Sequence, residues 1–133
     1  GSTLRGTDCR ADAICKARRG WFESARLDGL GTGFRQSYVV GEGGGGRICE
    51  ALRQATRWQQ SDALGERPKG EPFWDLILCR NLAIYLEPPA ATGLWALLTR
   101  SLSKGGVLVA GKAERPEHGS VVRLHRCVYK KQR

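Results

Sequence analysis

The stretch FWDLILCRNLAIYLEPP, residues 73–89, decides how the rest of the chain is read. It opens as an unbroken apolar run through Cys79. Such a run predicts a strand buried on both faces, as central parallel strands are. At Arg80-Asn81 it turns polar, then apolar again through Tyr85, and it closes on Pro88-Pro89. A cation and an amide at the mouth of a hydrophobic strand stand where open α/β sheets place their ligands, outside the carboxyl ends of the strands.

The residues that follow complete a unit around that strand. Pro88 suits a first helical turn, where its missing N–H costs nothing. Ala91, Leu94, Trp95, Leu98 and Leu102 recur at helical spacing and predict one apolar face. Lys104 and Gly105-Gly106 are expected to stop the helix. VLVAG, residues 107–111, then reads as a second buried strand. Strand, helix, strand is a βαβ unit with a right-handed crossover. SVVRLHRCVYKK, residues 120–131, reads as one or two antiparallel edge strands.

Upstream, TLRGTD (residues 3–8) predicts a short strand ending on Asp8, and ADAICKARR (11–19) a short helix with Ala11, Ile14 and Cys15 inward. Residues 21–33 read as loop or short helix. FRQSYVV (34–40) is a strand candidate by its aromatic and β-branched residues. GEGGGG (41–46) lacks the G-K-[ST] ending of a phosphate loop and predicts a hairpin tip instead. Thr56–Gln60 is expected as a third strand, and residues 65–72 as loop.

The composition bounds the function. With 133 residues, a real core needs no disulfides. No apolar run approaches membrane-spanning length, and no secretory leader is recognisable, so a cytoplasmic protein without membrane insertion is expected. Gly1-Ser2 reads as an expression-tag remnant. Five cysteines without a C-x-x-C pair, and two histidines that stand in no metal-ligand spacing to a cysteine, read as reduced thiols and no metal site. The net charge of +9 admits acidic protein faces, anionic surfaces or nucleic acid. Solubility alone is the plain alternative. Tyr129 is the single aromatic ring among the basic residues of the C-terminus, short of the interleaved set a base-stacking platform uses, so nucleic acid is not the expected partner.

Three strand ends carry candidate chemistry: Asp8, then Ser61-Asp62-Ala63, then Arg80-Asn81. An acid at one strand end can hold both ribose hydroxyls of a nucleoside cofactor, and a polar residue at the next can read an adenine edge. Each alone is more often a cap or a turn residue.

Read together, these segments resemble the chemotaxis-receptor glutamate methyltransferase family (CheR type), which uses S-adenosylmethionine. Residues 75–86 follow the family pattern D-x-I-x-C-R-N-V-x-I-Y-F, and LSKGGVLVAG (102–111) supplies its G-G-x-L-x-x-G strand. GTDCRADAICKARRGWF (6–22) is similar to A-T-D-I-D-x-x-x-L-x-x-A-R-x-G-x-Y. The resemblance runs over residues 3–131. It implies one α/β domain: part of a Rossmann-like class I methyltransferase sheet, with a small antiparallel β insert over residues 34–60. It further implies Asp8, Asp62, Ala63, Arg80 and Asn81 as cofactor-binding residues, and Arg80 and Tyr85 as catalytic ones. The implied partner is a chemotaxis-type receptor or other acidic protein substrate.

Departures from the family shape the remaining expectations. The strand and glycine-rich turn that precede Asp8 in such enzymes are not recognisable, so the chain reads as the C-terminal part of the catalytic domain, inactive alone. An exposed sheet edge would then favour self-association. Asp62 replaces an asparagine, KAERP (112–116) stands where His-Ser-Glu is common, and Arg47 is the one candidate for gripping a receptor tail. The competing reading is a non-catalytic protein-interaction module that kept the methyltransferase fold.

Overall fold

The computed structural model describes residues 2–65 and 73–132, which divide into two units, Gly1–Ala63 and Leu64–Arg133. The expected loop at 65–72 lies, beyond Gly65, outside the described residues.

In the first unit, strand β1 (Leu4–Asp8) leads into helix α1 (Ala11–Arg19). Asp12 in the first turn and Lys16, Arg18 and Arg19 in the last complement the helix dipole. Gly20 ends it at φ 62°, and its N–H donates to the Lys16 carbonyl at 3.2 Å. That left-handed cap is where glycine is favoured. Ile14 is buried as expected, but Ala11 and Cys15 are exposed; Ala13 and Ala17 are the half-buried residues beside Ile14.

β2 (Trp21–Glu23), α2 (Ser24–Leu27), α3 (Thr32–Tyr38), β3 (Val39–Glu42) and β4 (Gly45–Ile48) follow. The strand expected over 34–40 is therefore mostly helix. Phe34 and Tyr38, four residues apart, stack at 6.2 Å on one side of α3, and Arg35 pairs with Asp28 at 3.0 Å. Contacts at helical spacing outweigh the strand propensity of the residues. The glycine hairpin forms as expected. Gly43 and Gly44, at φ 38° and 70°, make a two-residue loop between Glu42 and Gly45, the geometry that needs positive φ at both central positions.

The antiparallel sheet has the order β2-β4-β3. Its third strand is Trp21–Glu23, expected as loop or short helix, and not Thr56–Gln60. The latter does form a strand, β5, after α4 (Glu50–Ala55). It pairs in parallel with β1, Leu4 opposite Thr56 and Asp8 opposite Gln60. The indole of Trp58 lies over Gly6, where a Cβ would overlap the ring.

In the second unit, β6 (Trp74–Cys79), α5 (Pro88–Ser101) and β7 (Leu102–Ala110) form the expected βαβ unit, with β6 and β7 parallel. β8 (Val121–His125) and β9 (Val128–Lys131) are antiparallel, and the sheet order is β6-β7-β9-β8. The helix stops at Ser101, earlier than expected: Leu102 is already extended and begins β7. Gly105, at φ 73°, lies within the strand instead of ending the helix.

The core gathers Trp95, Leu102, Leu108, Ala110 and Tyr129, with Ile77, Cys79, Ala83, Leu98 and Val121 against it. Fully burying such a side chain contributes about 1.5–3 kcal/mol each. One face of β6 supplies Ile77 and Cys79 to this core. The other leaves Leu76 and Leu78 more than half exposed, so the strand is not buried on both faces as its unbroken apolar run predicts. Runs of this kind report apolar content; only packed neighbours report which face is covered.

Candidate functional site

The parallel pairing of β1 and β5 places two of the three predicted strand ends side by side. The Ser61 N–H donates to the Asp8 carbonyl at 3.0 Å, and the Gln60 side-chain amide donates to the Cys9 carbonyl at 2.9 Å. Asp62 is exposed and Ala63 half-buried just beyond. The structure thus brings Asp8 together with the Ser61–Ala63 segment.

Asp8 already has an occupant. Its Oδ1 accepts from the Arg10 N–H at 2.9 Å and from Nε at 3.2 Å, and its Oδ2 accepts from Nη2 at 3.3 Å. These bonds, the guanidinium's first, hold the Asp8 carboxyl below the usual carboxylate range. The Asp8 side chain is nonetheless 34% exposed and Arg10 is well exposed.

The third strand end belongs to the second unit. Arg80, Asn81 and Tyr85 occupy one short segment after β6, the last of them in a 3-10 turn, Ala83–Tyr85. Arg80 and Asn81 are exposed, and Tyr85 is 79% exposed. Asn81 adopts φ 58°, a left-handed conformation that asparagine tolerates better than most residues. That backbone turns three successive N–H groups toward one point.

At that point lies Glu114, which the sequence reading passed over. It is 3% exposed. Its Oε2 accepts from Asn81 N at 2.9 Å and Gly111 N at 2.6 Å; its Oε1 accepts from Leu82 N at 2.8 Å and Ala83 N at 2.7 Å. Burial pushes this carboxyl up, and the four backbone hydrogen bonds more than offset it, so it stays below its ordinary range. Burial, with the Glu114 charge nearby, pushes the Cys79 thiol up to about 11. The available signal was position: Glu114 stands where the His-Ser-Glu run ends, although the two residues before it differ.

Arg47 is engaged internally. It forms a bidentate pair with Glu42 at 2.6 and 3.0 Å and donates to the Arg19 carbonyl at 3.1 Å. A cavity of about 740 Å³ in the first unit, lined among others by Leu4, Trp21, Arg53 and Trp58, includes none of the predicted site residues. Among the described residues no cluster of metal-ligating side chains occurs, and no helix is long and apolar enough to cross a membrane.

Residues 2–127 match the family described as CheR methyltransferase, SAM binding domain. The chain is 29% identical over 110 residues to a probable biofilm formation methyltransferase, WspC, of Pseudomonas putida, covering 82% of this chain and 26% of that protein. It is also 29% identical over 111 residues to a chemotaxis protein methyltransferase of Listeria innocua, covering 84% of this chain and 42% of that protein. The chain therefore spans less than half the length of these curated relatives. Among solved structures, the N-methyltransferase NodS from Bradyrhizobium japonicum, in complex with S-adenosyl-L-homocysteine, is similar at 18% identity and a TM-score of 0.49, covering 81% of this chain and 40% of that one.

Proposed function

Because the chain belongs to the CheR methyltransferase family through its SAM-binding domain, we propose that it forms part of an enzyme that methylates glutamate carboxylates of a chemotaxis-type receptor or another acidic protein. The family's cofactor is S-adenosylmethionine, which supplies an electrophilic sulfonium methyl when bound. The observation that carries the reading is the parallel β1–β5 pair, which sets Asp8 and the Ser61–Ala63 segment at the carboxyl ends of adjacent strands.

The donor set fits the cofactor's nucleoside. A ribose diol needs an acceptor with free lone pairs. An ionised carboxylate offers about four acceptor sites, and Arg10 takes three of those on Asp8. The Cys9 thiol also bonds to this carboxylate, and two acceptor sites are released when the exposed guanidinium swings away. Asp62 and Ala63 would face the adenine, with Asp62 as an acceptor only and the Ala63 backbone N–H as the available donor. In the second unit, Asn81 stands at the strand end that the family resemblance assigns to cofactor binding.

The remaining residues suit the acceptor. A substrate glutamate is already ionised at neutral pH, with an ordinary pKa of ~4.3. Its methylation requires alignment and exclusion of water rather than a strong base. Arg80 would orient that carboxylate, and the Tyr85 hydroxyl would donate to it.

One observation favours a second reading, a protein-interaction module that kept the fold: Arg10 satisfies the very carboxylate the cofactor needs. Calorimetric titration with S-adenosylhomocysteine separates the two. The chain is titrated beside a version extended at its N-terminus. Binding by either, weakened about tenfold or more by Asp8→Ala through loss of charge-assisted bonds, supports the enzyme. Absence of binding in both, or indifference to Asp8→Ala, overturns the cofactor site proposed here.

A further inference from the structure

A buried carboxylate is costly unless its charge is met. Among the described residues no lysine or arginine side chain forms a salt bridge with Glu114. Its charge is met by backbone alone, at the four N–H groups of Asn81, Leu82, Ala83 and Gly111. Two donors sit on each oxygen, so the about four acceptor sites of a carboxylate are filled. Glu114 therefore has nothing left to offer a ligand or a proton, and a role as general base is closed to it. What it can do is hold backbone.

The backbone it holds is the mouth of β6. Successive N–H groups converging on one anion form a nest, here built from left-handed Asn81 and right-handed Leu82. The 3-10 turn starts from the same residues: Tyr85 N donates to the Leu82 carbonyl and Leu86 N to the Ala83 carbonyl, each at 3.1 Å. The fourth donor, Gly111, follows β7 and ties the nest to the neighbouring strand. A Cβ there would lie 2.6 Å from both Asn81 Oδ1 and Glu114 Oε2. Arg80 immediately precedes the clamped residues, and Tyr85 follows them by two.

We infer that Glu114 is a positioning residue: an internal anion that fixes the Asn81–Ala83 backbone and thereby sets where Arg80, Asn81 and Tyr85 stand. The inference rests on the function proposed above, in which those three side chains line the cofactor and substrate site.

The test follows amide hydrogen exchange by NMR in Glu114→Gln, with exposed Glu117→Gln as control. Glutamine keeps the shape but turns an NH2 toward donors. Protection at Asn81, Leu82, Ala83 and Gly111 should fall about tenfold or more, with Tyr129 in β9 unchanged and Glu117→Gln silent. Glu114→Ala empties the nest, and added acetate should restore protection at the four amides where equal chloride does not. A residue that mattered only as packing would show no such anion rescue.

In whichever form binds S-adenosylhomocysteine, Glu114→Gln should weaken it by a similar factor. Acetate should recover the loss in Glu114→Ala. Unchanged protection in Glu114→Gln overturns the clamp. Freed amides with unchanged S-adenosylhomocysteine affinity overturn the positioning role while leaving the proposed function standing. If the unmutated protein binds in neither form, the functional reading fails first and the inference with it. Should Glu114→Ala not fold, Glu114→Gln still decides.

Discussion

Asp8 and Glu114 are two acids at the carboxyl ends of parallel strands, held in opposite ways. Asp8 is partly exposed and answered by the flexible Arg10 guanidinium together with the Arg10 backbone N–H. Glu114 is buried and answered by four backbone N–H groups from two strand ends. Both carboxyls lie below the usual range, one through a guanidinium, the other through backbone donors working against burial. A side-chain partner can swing away and yield its place to a ligand. Backbone partners cannot leave without local unfolding. The first arrangement keeps an acid available; the second spends it on geometry.

The contrast breaks most visibly at Glu114. Glu114→Ala leaves four donors unanswered, the Gly111 N–H buried and the other three part-buried, and should cost roughly 3 kcal/mol of stability, measured by urea unfolding. A loss below about 0.5 kcal/mol would mean that the nest relaxes freely. Gly111→Ala attacks the same nest from the other strand. Its methyl must displace Asn81 or Glu114, at a cost of about 1–3 kcal/mol.

pH sharpens the comparison. The Glu114 pKa is lowered in the fold from its ordinary 4.5. Its contribution is full above that value and is lost as pH falls through the folded pKa. Glu114→Gln should flatten the acid limb of a stability–pH curve. Cys79 works at the other end. Its thiol rises from 9.0 to about 11, so the stability it contributes is present below pH 9 and is lost as pH climbs toward about 11. Cys79→Ala should remove that alkaline decline; its persistence would assign the decline to other groups.

Much of the fold was legible because it rests on local signals. The apolar run before Arg80, Pro88 opening α5, the Gly43-Gly44 turn and the helical spacing of Leu94, Trp95 and Leu98 each carry their own physical cause. What escaped depends on partners distant in sequence. Trp21–Glu23 is too short to announce itself, and it is a strand because β4 lies beside it. Thr56–Gln60 was readable as a strand, but its pairing with β1 instead of the hairpin was not. Phe34–Tyr38 went to helix through contacts that propensity does not contain. The site divides the same way. The strand-end positions of Asp8, Asp62, Arg80 and Asn81 were readable from the residues, whereas their cofactor roles were implied by the family resemblance. Glu114 was missed because three of the backbone N–H groups it accepts from lie more than thirty residues away, and its place within KAERP was the one signal the sequence offered.

Arg10→Ala gives the smallest effect and the finest discrimination. Removing the guanidinium leaves the Arg10 backbone bond to Asp8 Oδ1 in place, so the start of α1 keeps its tie. Asp8 moves up toward the ordinary carboxylate range but remains ionised at neutral pH, so its charge does not change. What changes is its free lone pairs. If Arg10 only keeps the place of the ribose diol, S-adenosylhomocysteine should bind about twofold to fivefold tighter, the scale of an exposed ion pair. S-adenosylmethionine, which carries the same ribose diol, should gain by a similar factor. Weaker binding of both would reverse the comparison: Arg10 would then be orienting Asp8 for its ligand, and the first unit's acid would be held for geometry as firmly as Glu114 is in the second.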